Sequence, residues 1–319
     1  MILRRLEPGA AVVVVRLRSI GDTVLTTPGL ALLQAARPDL RVHVVLEPAW
    51  ARLLEGNPDI SGVIELGNAG RWRAVSAVRR LRPALCLNLH GGTTSAWLTA
   101  LSGARWRAGF GHHRQAWAYN VRIPRAQEVL GRATDAPVHT AEHLASAMFY
   151  LGVPSCEIPR ARLFAPPARR ARPYAVVHTG AAYATKQWAA EKFAAMAAWL
   201  REAQGIEPVT VRGPEDGSLG DLMSLIAGAE LFVGNDSGPA HVAAAFGVPA
   251  VVIFGSSNAK VWGPWRTAHR VVETAWDCKP CPGDRCYAFD QPRCILSVEM
   301  EAVQHAVESL LGARAALHT

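Results

Sequence analysis

Three stretches of the sequence place charged side chains beside small or polar residues that a ligand can approach. The first, VVVVRLRSIGDTVLTTPGL (residues 12–30), passes from an apolar run into a helical pattern, with Arg16, Arg18 and Asp22 in the turn between them. A carboxylate in such a turn can take a proton from a reacting group, and guanidinium groups bind phosphate or carboxylate. The same charges can equally form a plain surface ion pair, so this stretch leaves both interpretations open.

The second stretch is VVHTGAAYATKQW (residues 176–188). Its small residues Gly180 and Ala181 let the backbone come close to a diphosphate, and Lys186 supplies a positive charge from the same loop. Taken by itself, a lysine after a glycine turn is more often a solvated surface residue.

The third stretch, FVGNDSGPAHVAAAFGVPAVVIFG (residues 232–255), reads as a strand, a polar turn, a helix and another strand. We predict that Asp236 or Ser237 caps the helix and that Gly238 leaves backbone N–H groups open to an anion. His241, one turn into the helix, is predicted to point to the same rim and to donate to a phosphate or a sugar hydroxyl. The alternative is an ordinary capped helix with a core histidine.

Four cysteines form the pattern C-x2-C-x4-C-x7-C in CKPCPGDRCYAFDQPRC, at Cys278, Cys281, Cys286 and Cys294. In a reducing compartment such a cluster favours a structural metal, zinc or an iron–sulfur centre, over disulfides. The spacing does not match the paired C-x2-C motifs of a zinc ribbon, so free or redox-active thiols remain the alternative.

The elements that must position these residues alternate between strands and helices. In the first half, apolar runs typical of buried strands are AVVVVRL (11–17), RVHVVLE (41–47), GVIEL (62–66), ALCLNLH (84–90) and RWRAGF (105–110). Segments of helical length separate them, including AWARLLEGN (49–57). Runs that are apolar on both faces predict a parallel sheet covered by helices.

The pattern restarts after a stretch rich in proline and arginine at residues 159–173, which we interpret as a linker. The sequence therefore predicts an α/β protein with two Rossmann-like domains, residues 1–165 and 174–319, that face each other across a functional cleft. The last helix is expected either to stay with the second domain or to pack back on the first. Only GPEDGS separates a predicted strand from the helix near Leu219, so a helix and a strand common in such domains are either absent from the protein or left out of this sequence, and the sequence alone does not decide between the two.

The composition limits the class of protein and its partners. The formal net charge of +8 suggests an anionic partner, either a nucleic acid, a phosphorylated substrate or an acidic membrane surface, although scattered arginines can also be solvated surface. No apolar run approaches the roughly 20 residues that span a bilayer, and we expect a cytoplasmic protein. Neither G-x-G-x-x-G after the first strand nor a P-loop motif is present, which disfavours a Rossmann-type oxidoreductase.

Taken together, RLRSIGDTVLTTP, HTGAAYATKQW and GNDSGPAHVAAAFGVPAVVIFG resemble the heptosyltransferases of glycosyltransferase family 9. The resemblance covers most of the chain and implies a GT-B fold and an inverting transfer that needs no catalytic cofactor. It implies a nucleotide-sugar donor, usually ADP-heptose, and an anionic lipid-linked glycan acceptor, the lipid A–Kdo inner core of lipopolysaccharide. The resemblance further implies a cytoplasmic enzyme that contacts the inner membrane peripherally and has no nucleic-acid partner.

The resemblance also assigns roles residue by residue. Asp22 matches the proposed general base, and Lys186, in the loop with Gly180 and Ala181, matches the lysine that binds the donor diphosphate. The donor-binding turn corresponds to Asp236, Ser237, Gly238 and His241. Glu215 is expected to bind the ribose, and acceptor contacts are assigned to Arg16, Arg18 and His139.

Two alternatives remain open from the sequence. One is a glycosyltransferase that uses another nucleotide sugar and another glycan acceptor. The other is a non-enzymatic protein that binds an anionic ligand or a nucleic acid and carries a metal site made of the four clustered cysteines, for which we find dispersed arginines but no basic stripe with exposed aromatics.

Overall fold

The computed structural model describes residues 1–67, 70–213 and 216–315. The chain divides into two compact units, Met1–Phe164 and Ala165–Thr319. Each unit contains one parallel β-sheet flanked by helices, as the alternating pattern predicts. No helix within the described residues is both long and apolar enough to cross a lipid bilayer.

The sheet of the first unit has six strands in the order β3-β2-β1-β4-β5-β6. The strands are β1 (Ala11–Val15), β2 (Arg41–Leu46), β3 (Gly62–Glu65), β4 (Leu85–Asn88), β5 (Trp106–Phe110) and β6 (Val121–Ile123). Every residue of β1 and β4 is buried, because helices cover both faces of the sheet. The order reverses direction between β1 and β4, which makes their carboxyl ends the topological switch point of this unit.

The helices of the first unit are α1 (Ile20–Ala36), α2 (Arg71–Arg80), α3 (Thr93–Leu101), α4 (Ala126–Val129) and α5 (Thr140–Leu151). Helices α1 and α5 pack against each other, and Gly29 allows the contact because a Cβ there would lie 3.3 Å from Met148 Cε. Helices α2 and α3 share a hydrophobic core with alternate residues of β1 and β4, including Val13 and Cys86. They therefore cover the same face of the sheet.

Two details of the first unit differ from the sequence expectation. The segment expected as a helix at residues 49–57 is a 3₁₀-helix over Pro48–Leu54, and it ends before residue 57 because Glu55 is extended and Gly56 has a φ of +71°. The strand β6 was not predicted, since it has only three residues and lies at the edge of the sheet.

The sheet of the second unit has five strands in the order β11-β10-β9-β7-β8. The strands are β7 (Tyr174–His178), β8 (Glu207–Val211), β9 (Leu231–Asn235), β10 (Ala250–Phe254) and β11 (His269–Glu273). Within the described residues, this is the order of the first sheet without a counterpart of β3. The gap falls after β8, where the sequence has only GPEDGS, so the short connection corresponds to an absent strand and helix.

The helices of the second unit are α6 (Ala190–Gln204), α7 (Leu219–Ala227), α8 (Gly238–Phe246), α9 (Ala259–Trp262), α10 (Arg293–Leu296) and α11 (Met300–Ala315). The last helix packs on β10, β11 and α6, where Val303, Val307 and Leu310 join the core. The switch point of this sheet lies between β7 and β9, and the loops that follow these strands carry most of the predicted donor residues.

Candidate active site

The turn after β1 brings Arg16 and Asp22 into direct contact. Asp22 is the third residue of α1, where its carboxylate accepts hydrogen bonds from the backbone N–H and the hydroxyl of Ser19 at 3.4 and 3.3 Å. An Arg16 guanidinium nitrogen pairs with the other oxygen of the same carboxylate. The ion pair fixes the orientation of a carboxylate whose side chain is still 22% exposed, so Asp22 remains reachable from solvent. Arg18 lies in the same turn and is exposed.

Arg16 also connects the two strands of the switch point, because its guanidinium donates to the Leu89 carbonyl just beyond β4. The loop after β4 is held by Asn88, which is fully buried. The Asn88 Oδ1 accepts the backbone N–H groups of His90 and Gly91 at 2.9 and 3.0 Å. This turn places the His90 imidazole within the electrostatic influence of Arg16, Arg18 and Asp22.

Further imidazoles lie beside this turn and were not predicted from the sequence. His113 lies against Gly91, where an added Cβ would come within 2.7 Å of the ring, and its Nδ1 is 3.3 Å from the Tyr119 hydroxyl. The His143 ring stacks on Phe110 at a centroid distance of 4.1 Å. The only sequence signal was the pair of short motifs NLHGG and GHHR at the ends of adjacent strands.

Burial keeps these imidazoles neutral. Burial, together with a smaller effect of nearby positive charge that includes Arg16, lowers the pKa of His90, His113 and His143 to about 4. A neutral imidazole donates one hydrogen bond and accepts another. The first-unit site therefore combines the Arg16–Asp22 ion pair and the exposed Arg18 with neutral imidazoles that suit hydroxyl-rich ligands.

His139 starts helix α5. The His139 ring nitrogen Nδ1 accepts the Ala141 N–H at 3.1 Å, and the His139 backbone N–H donates to the Glu142 carboxylate at 3.1 Å. Glu142 is in turn paired with Arg132, which lowers the pKa of the Glu142 carboxyl. His139 is thus a helix cap, and a contact with the acceptor stays a prediction.

In the second unit, the loop after β7 requires the glycine that the sequence singled out. A Cβ on Gly180 would lie 1.8 Å from the Arg212 carbonyl oxygen at the end of β8. Past this contact the chain forms a 3₁₀ turn over Ala184–Lys186, and the Ala181 carbonyl accepts the Gln187 side-chain amide at 2.8 Å. The donor loop, which we define as residues 179–188, is therefore tightly packed at its start.

Asn235, the last residue of β9, holds both ends of the donor loop. Its Oδ1 accepts the Trp188 N–H at 3.0 Å, and its Nδ2 donates to the Thr179 carbonyl at 2.9 Å. The next residue, Asp236, pairs with Lys186 at 2.8 Å. Asp236 is 5% exposed and Lys186 is 24% exposed, so the ammonium lies at the solvent side of the pair.

Helix α8 begins at Gly238, directly after this pair, but it is not capped as predicted. Ser237 occupies the N-cap position without a capping hydrogen bond. Its hydroxyl donates to the Asn235 carbonyl at 3.2 Å and lies 3.4 Å from His178 Nδ1. The predicted cap is wrong because these contacts use the hydroxyl, and the partial positive charge of the helix start lies next to Lys186 and Asp236. His241 is buried one turn into α8.

Glu215, the predicted ribose ligand, lies outside the described residues. Its neighbour Asp216 accepts the backbone N–H groups of Arg212 and Gly213, the latter at 3.2 Å, and these bonds lower the pKa of Asp216. The Asp216 carboxylate thereby fixes the backbone of Arg212 and Gly213, just after β8.

The four cysteines line one cavity of about 250 Å³ together with Thr185 and Ser256. The Cys281 N–H donates to the Ser256 carbonyl at 3.1 Å, and the Thr185 hydroxyl donates to the Gly283 carbonyl. The cysteine loop therefore supports the residue that precedes Lys186. Within the described ranges no three His, Cys, Asp or Glu side chains are arranged to hold a metal ion, so the predicted metal stays a prediction.

Comparisons with known proteins agree with this geometry. The model of glycosyltransferase family 9 (heptosyltransferase) matches residues 71–218 and 216–288. The chain is 27% identical to lipopolysaccharide heptosyltransferase 3 of Escherichia coli, over 78% of this chain and 84% of that protein. It is 24% identical to lipopolysaccharide heptosyltransferase 1 of Pseudomonas aeruginosa, over 94% of this chain and 98% of that protein.

Solved structures share the fold. The E. coli ADP-heptose lipopolysaccharide heptosyltransferase II superposes with a TM-score of 0.78 at 18% identity, over 96% of this chain and 99% of that chain. The iron-containing dodecameric glycosyltransferase TibC, also from E. coli, superposes with a TM-score of 0.63 at 18% identity, over 97% of this chain and 78% of that chain. The predicted α/β architecture of GT-B type is thereby confirmed.

Proposed function

Because the chain belongs to glycosyltransferase family 9, as its sequence indicated, we propose that it moves a heptose from ADP-heptose to the inner core of lipopolysaccharide. The enzyme class follows from the family, and the choice of sugar and acceptor is supported by relatives that are named lipopolysaccharide heptosyltransferases. The acceptor is a lipid A–Kdo type glycan. We place the enzyme in the cytoplasm, at the inner face of the inner membrane.

The observation that carries the proposal is the Lys186–Asp236 pair at the start of α8. Transfer leaves a nucleoside diphosphate, whose developing negative charge must be stabilised as the bond to the sugar breaks. The Lys186 ammonium and the positive end of the α8 dipole supply positive charge at one place. Gly180 and Ala181 are small residues, so a diphosphate can come close to the backbone beside these groups. Ser237 and His241 belong to the segment around the start of α8.

In the proposed inverting reaction, Asp22 accepts the proton of the acceptor hydroxyl. The hydroxyl oxygen forms a bond to the anomeric carbon from the face opposite the nucleotide, and the carbon–oxygen bond to the diphosphate breaks. The diphosphate leaves with the electron pair of that bond, and the proton stays on Asp22. Arg16 holds the carboxylate in one orientation through its ion pair, so little reorganisation is needed when the acceptor binds.

We assign the acceptor to the remaining groups near this turn. Arg16 and Arg18 suit the phosphate or carboxylate groups of an inner-core glycan, and neutral His90 and His113 suit its hydroxyl groups. His139 keeps its assignment to acceptor binding by resemblance, and Glu215 its assignment to the ribose.

We also propose that Cys278, Cys281, Cys286 and Cys294 hold a structural zinc or iron. Support comes from the cavity that all four line, since thiolates are preferred ligands of both metals. Such a metal would fix the loop that packs on Thr185 and would thereby hold Lys186 in place. Protein purified without nickel should contain zinc or iron, and Cys278→Ser/Cys281→Ser should lose it while Cys156→Ser keeps it. Absence of both metals from the unaltered protein would remove this proposal.

The function is tested with the purified full chain, ADP-heptose and a Kdo-bearing lipid A acceptor. We expect ADP release together with a product heavier by one heptose in the mass spectrum. UDP-glucose and GDP-mannose serve as competing donors, and transfer from one of them but not from ADP-heptose would instead favour the glycosyltransferase with another sugar.

Lys186→Ala tests the donor half-site. We expect weaker ADP binding and slower turnover, because the diphosphate is charged in both the ground and the transition state. Lys192→Ala is the matched control, since Lys192 is also 24% exposed and also paired, with Glu299. Unchanged ADP affinity in Lys186→Ala would contradict the assignment.

A further inference from the structure

The charge of the chain is concentrated in one segment of the first unit. Residues 66–127 contain ten arginines and no lysine, aspartate or glutamate. With +10 in this segment against +8 for the whole chain, the remainder carries a net −2. The attraction of the chain to an anionic partner is therefore located here and is not a property of the whole surface.

These arginines are left available by the fold. None of them has an ion pair within the part of the chain that the structure describes, and nine of the ten are exposed. Elsewhere in the chain the arginines are mixed: Arg37 and Arg132 are paired with carboxylates, whereas Arg169 and Arg172 are exposed without an ion pair in the described structure. Since none of these guanidinium groups is neutralised by an ion pair in the described structure, their charge is available to an anionic partner.

Helix α2 places part of this charge around an exposed tryptophan. Its inner face, with Ala74, Val75 and Val78, packs on the sheet. The opposite side consists of exposed residues, namely Arg71, Trp72, Arg73, Ser76, Arg79 and Arg80. Trp72 is 72% exposed, which is unusual for so large an apolar side chain.

The neighbouring helix α3 adds a second aromatic group on the same side of the sheet. Trp97 of α3 and Trp117 are both 53% exposed, and their rings meet edge to face at 4.9 Å. Helix α3 carries no charged side chain. We define the α2–α3 surface as the exposed residues of these two helices together with Trp117.

We infer that the α2–α3 surface binds the anionic headgroup region of a phospholipid bilayer. Arginine binds phosphate through two hydrogen bonds, and tryptophan favours the boundary between headgroups and acyl chains. A helix that presents both on its outer face matches the pattern of proteins that lie on a membrane. Single-stranded nucleic acid would instead require a row of aromatics set in a groove that follows the strand, whereas Trp72 stands on the exposed side of α2 and Trp97 and Trp117 form one separate pair.

This inference deepens the proposed function, on which the choice of partner rests, because a lipid-linked acceptor is presented at such a surface. Docking through α2 and α3 would hold the enzyme at the bilayer independently of the chemistry at Asp22 and Lys186. Binding to lipid and transfer of sugar can therefore be measured separately.

The test is co-sedimentation of the full chain with vesicles, either of phosphatidylcholine alone or of equal parts phosphatidylcholine and phosphatidylglycerol. We expect binding only to the anionic vesicles and weakening with added salt. Each basic residue near such a surface contributes about fivefold in affinity, so Arg79→Glu/Arg80→Glu should weaken binding at least about tenfold. Trp72→Ala should weaken it as well.

Matched controls are Arg169→Glu/Arg172→Glu, which makes the same change in net charge at exposed arginines of the second unit, and Tyr150→Ala, which removes an exposed aromatic. Both controls should bind as the unaltered protein does. Transfer to a water-soluble acceptor glycan should be unchanged in the α2 variants, which separates a failure of docking from a failure of the proposed reaction.

Three results would overturn the inference. One is equal binding to neutral and anionic vesicles, or none to either. The second is an equal loss of vesicle binding in Arg169→Glu/Arg172→Glu, which would show that the net charge of the protein, and not the α2–α3 surface, determines binding. The third is tighter binding to an oligonucleotide than to anionic vesicles at the same salt concentration, lost again in Arg79→Glu/Arg80→Glu.

Discussion

Replacement of Asn235 by alanine should loosen the donor loop at both ends. Asn235 is fully buried at the end of β9, and its side-chain amide joins the Trp188 N–H to the Thr179 carbonyl. Alanine removes both hydrogen bonds and leaves two backbone groups without their partner. The loop between them carries Gly180 and Lys186, so the loss should be felt in donor binding as well as in stability.

The magnitude follows from burial. Each backbone group that loses its partner away from water costs about 1–3 kcal/mol, so two of them give about 2–6 kcal/mol if water does not enter. For a unit of this size each kcal/mol lowers the melting temperature by about 2–4 °C. We therefore expect a decrease of at least about 4 °C in Asn235→Ala, together with a higher KM for the nucleotide sugar.

Asn120 offers a matched control in the first unit. Its Oδ1 accepts the Arg107 N–H and its Nδ2 donates to the Arg105 carbonyl, both at 2.8 Å, but the residue is exposed. Water can replace these bonds in Asn120→Ala, and the net cost should stay near about 1 kcal/mol. Thermal unfolding and ADP-titration calorimetry of the two variants provide the comparison. Equal melting temperatures for Asn235→Ala and the unaltered protein would refute the reasoning, and a lower melting temperature with unchanged ADP affinity would show that the loop does not depend on Asn235 for donor binding.

Asp22→Asn should slow heptose transfer by about 10²–10⁴-fold, the usual contribution of a general base, while calorimetry shows unchanged ADP binding; near-normal transfer would rule out the base. Gly180→Ala should weaken ADP binding and lower thermal stability, because its Cβ would lie 1.8 Å from the Arg212 carbonyl, whereas Gly205→Ala, at a position with no atom within 4 Å of the new Cβ, should be affected only through its positive φ. Stability should fall as the pH decreases from about 6.5 towards about 4, because burial lowers the pKa of several histidines to about 4 and the unfolded chain binds protons that the folded chain does not. The histidines are His90, His113, His143 and His178. Urea unfolding across this range measures the effect, and a flat profile would contradict it.

The two sheets could be predicted because most of their strands are buried on both faces and therefore read as continuous apolar runs. The strands β6 and β11 lie at sheet edges, where residues such as Arg122 and Arg270 are exposed, and the apolar signal is lost. The 3₁₀-helix at Pro48–Leu54 has the composition of an α-helix, so composition led to the wrong prediction there.

Candidate site residues could be predicted from the sequence where the residue type itself indicates a chemical role. The charged and glycine residues of the turns, such as Asp22, Lys186 and Gly180, could be picked out from the sequence as candidates, and their roles in catalysis and donor binding stay predictions. The positions of His113 beside Gly91, and of the cysteine loop beside Thr185, join segments that are far apart in the sequence. No local pattern encodes such contacts, because they depend on which strand ends the sheet order brings together.

Both units use the same device at their switch points. Asn88 ends β4 next to β1, and Asn235 ends β9 next to β7. Each is fully buried. Asn88 accepts the N–H groups of His90 and Gly91 in its own loop, and Asn235 accepts the Trp188 N–H at the end of the donor loop. An amide suits this role better than a carboxylate, because it offers a donor and an acceptor without the cost of burying a charge. Uncharged asparagines in the core thus hold the loops of His90 and Lys186 in shape, and Lys186 can remain at the solvent side of its ion pair with Asp236, where a substrate reaches it. The turn of Asp22 is held instead by Ser19 and Arg16.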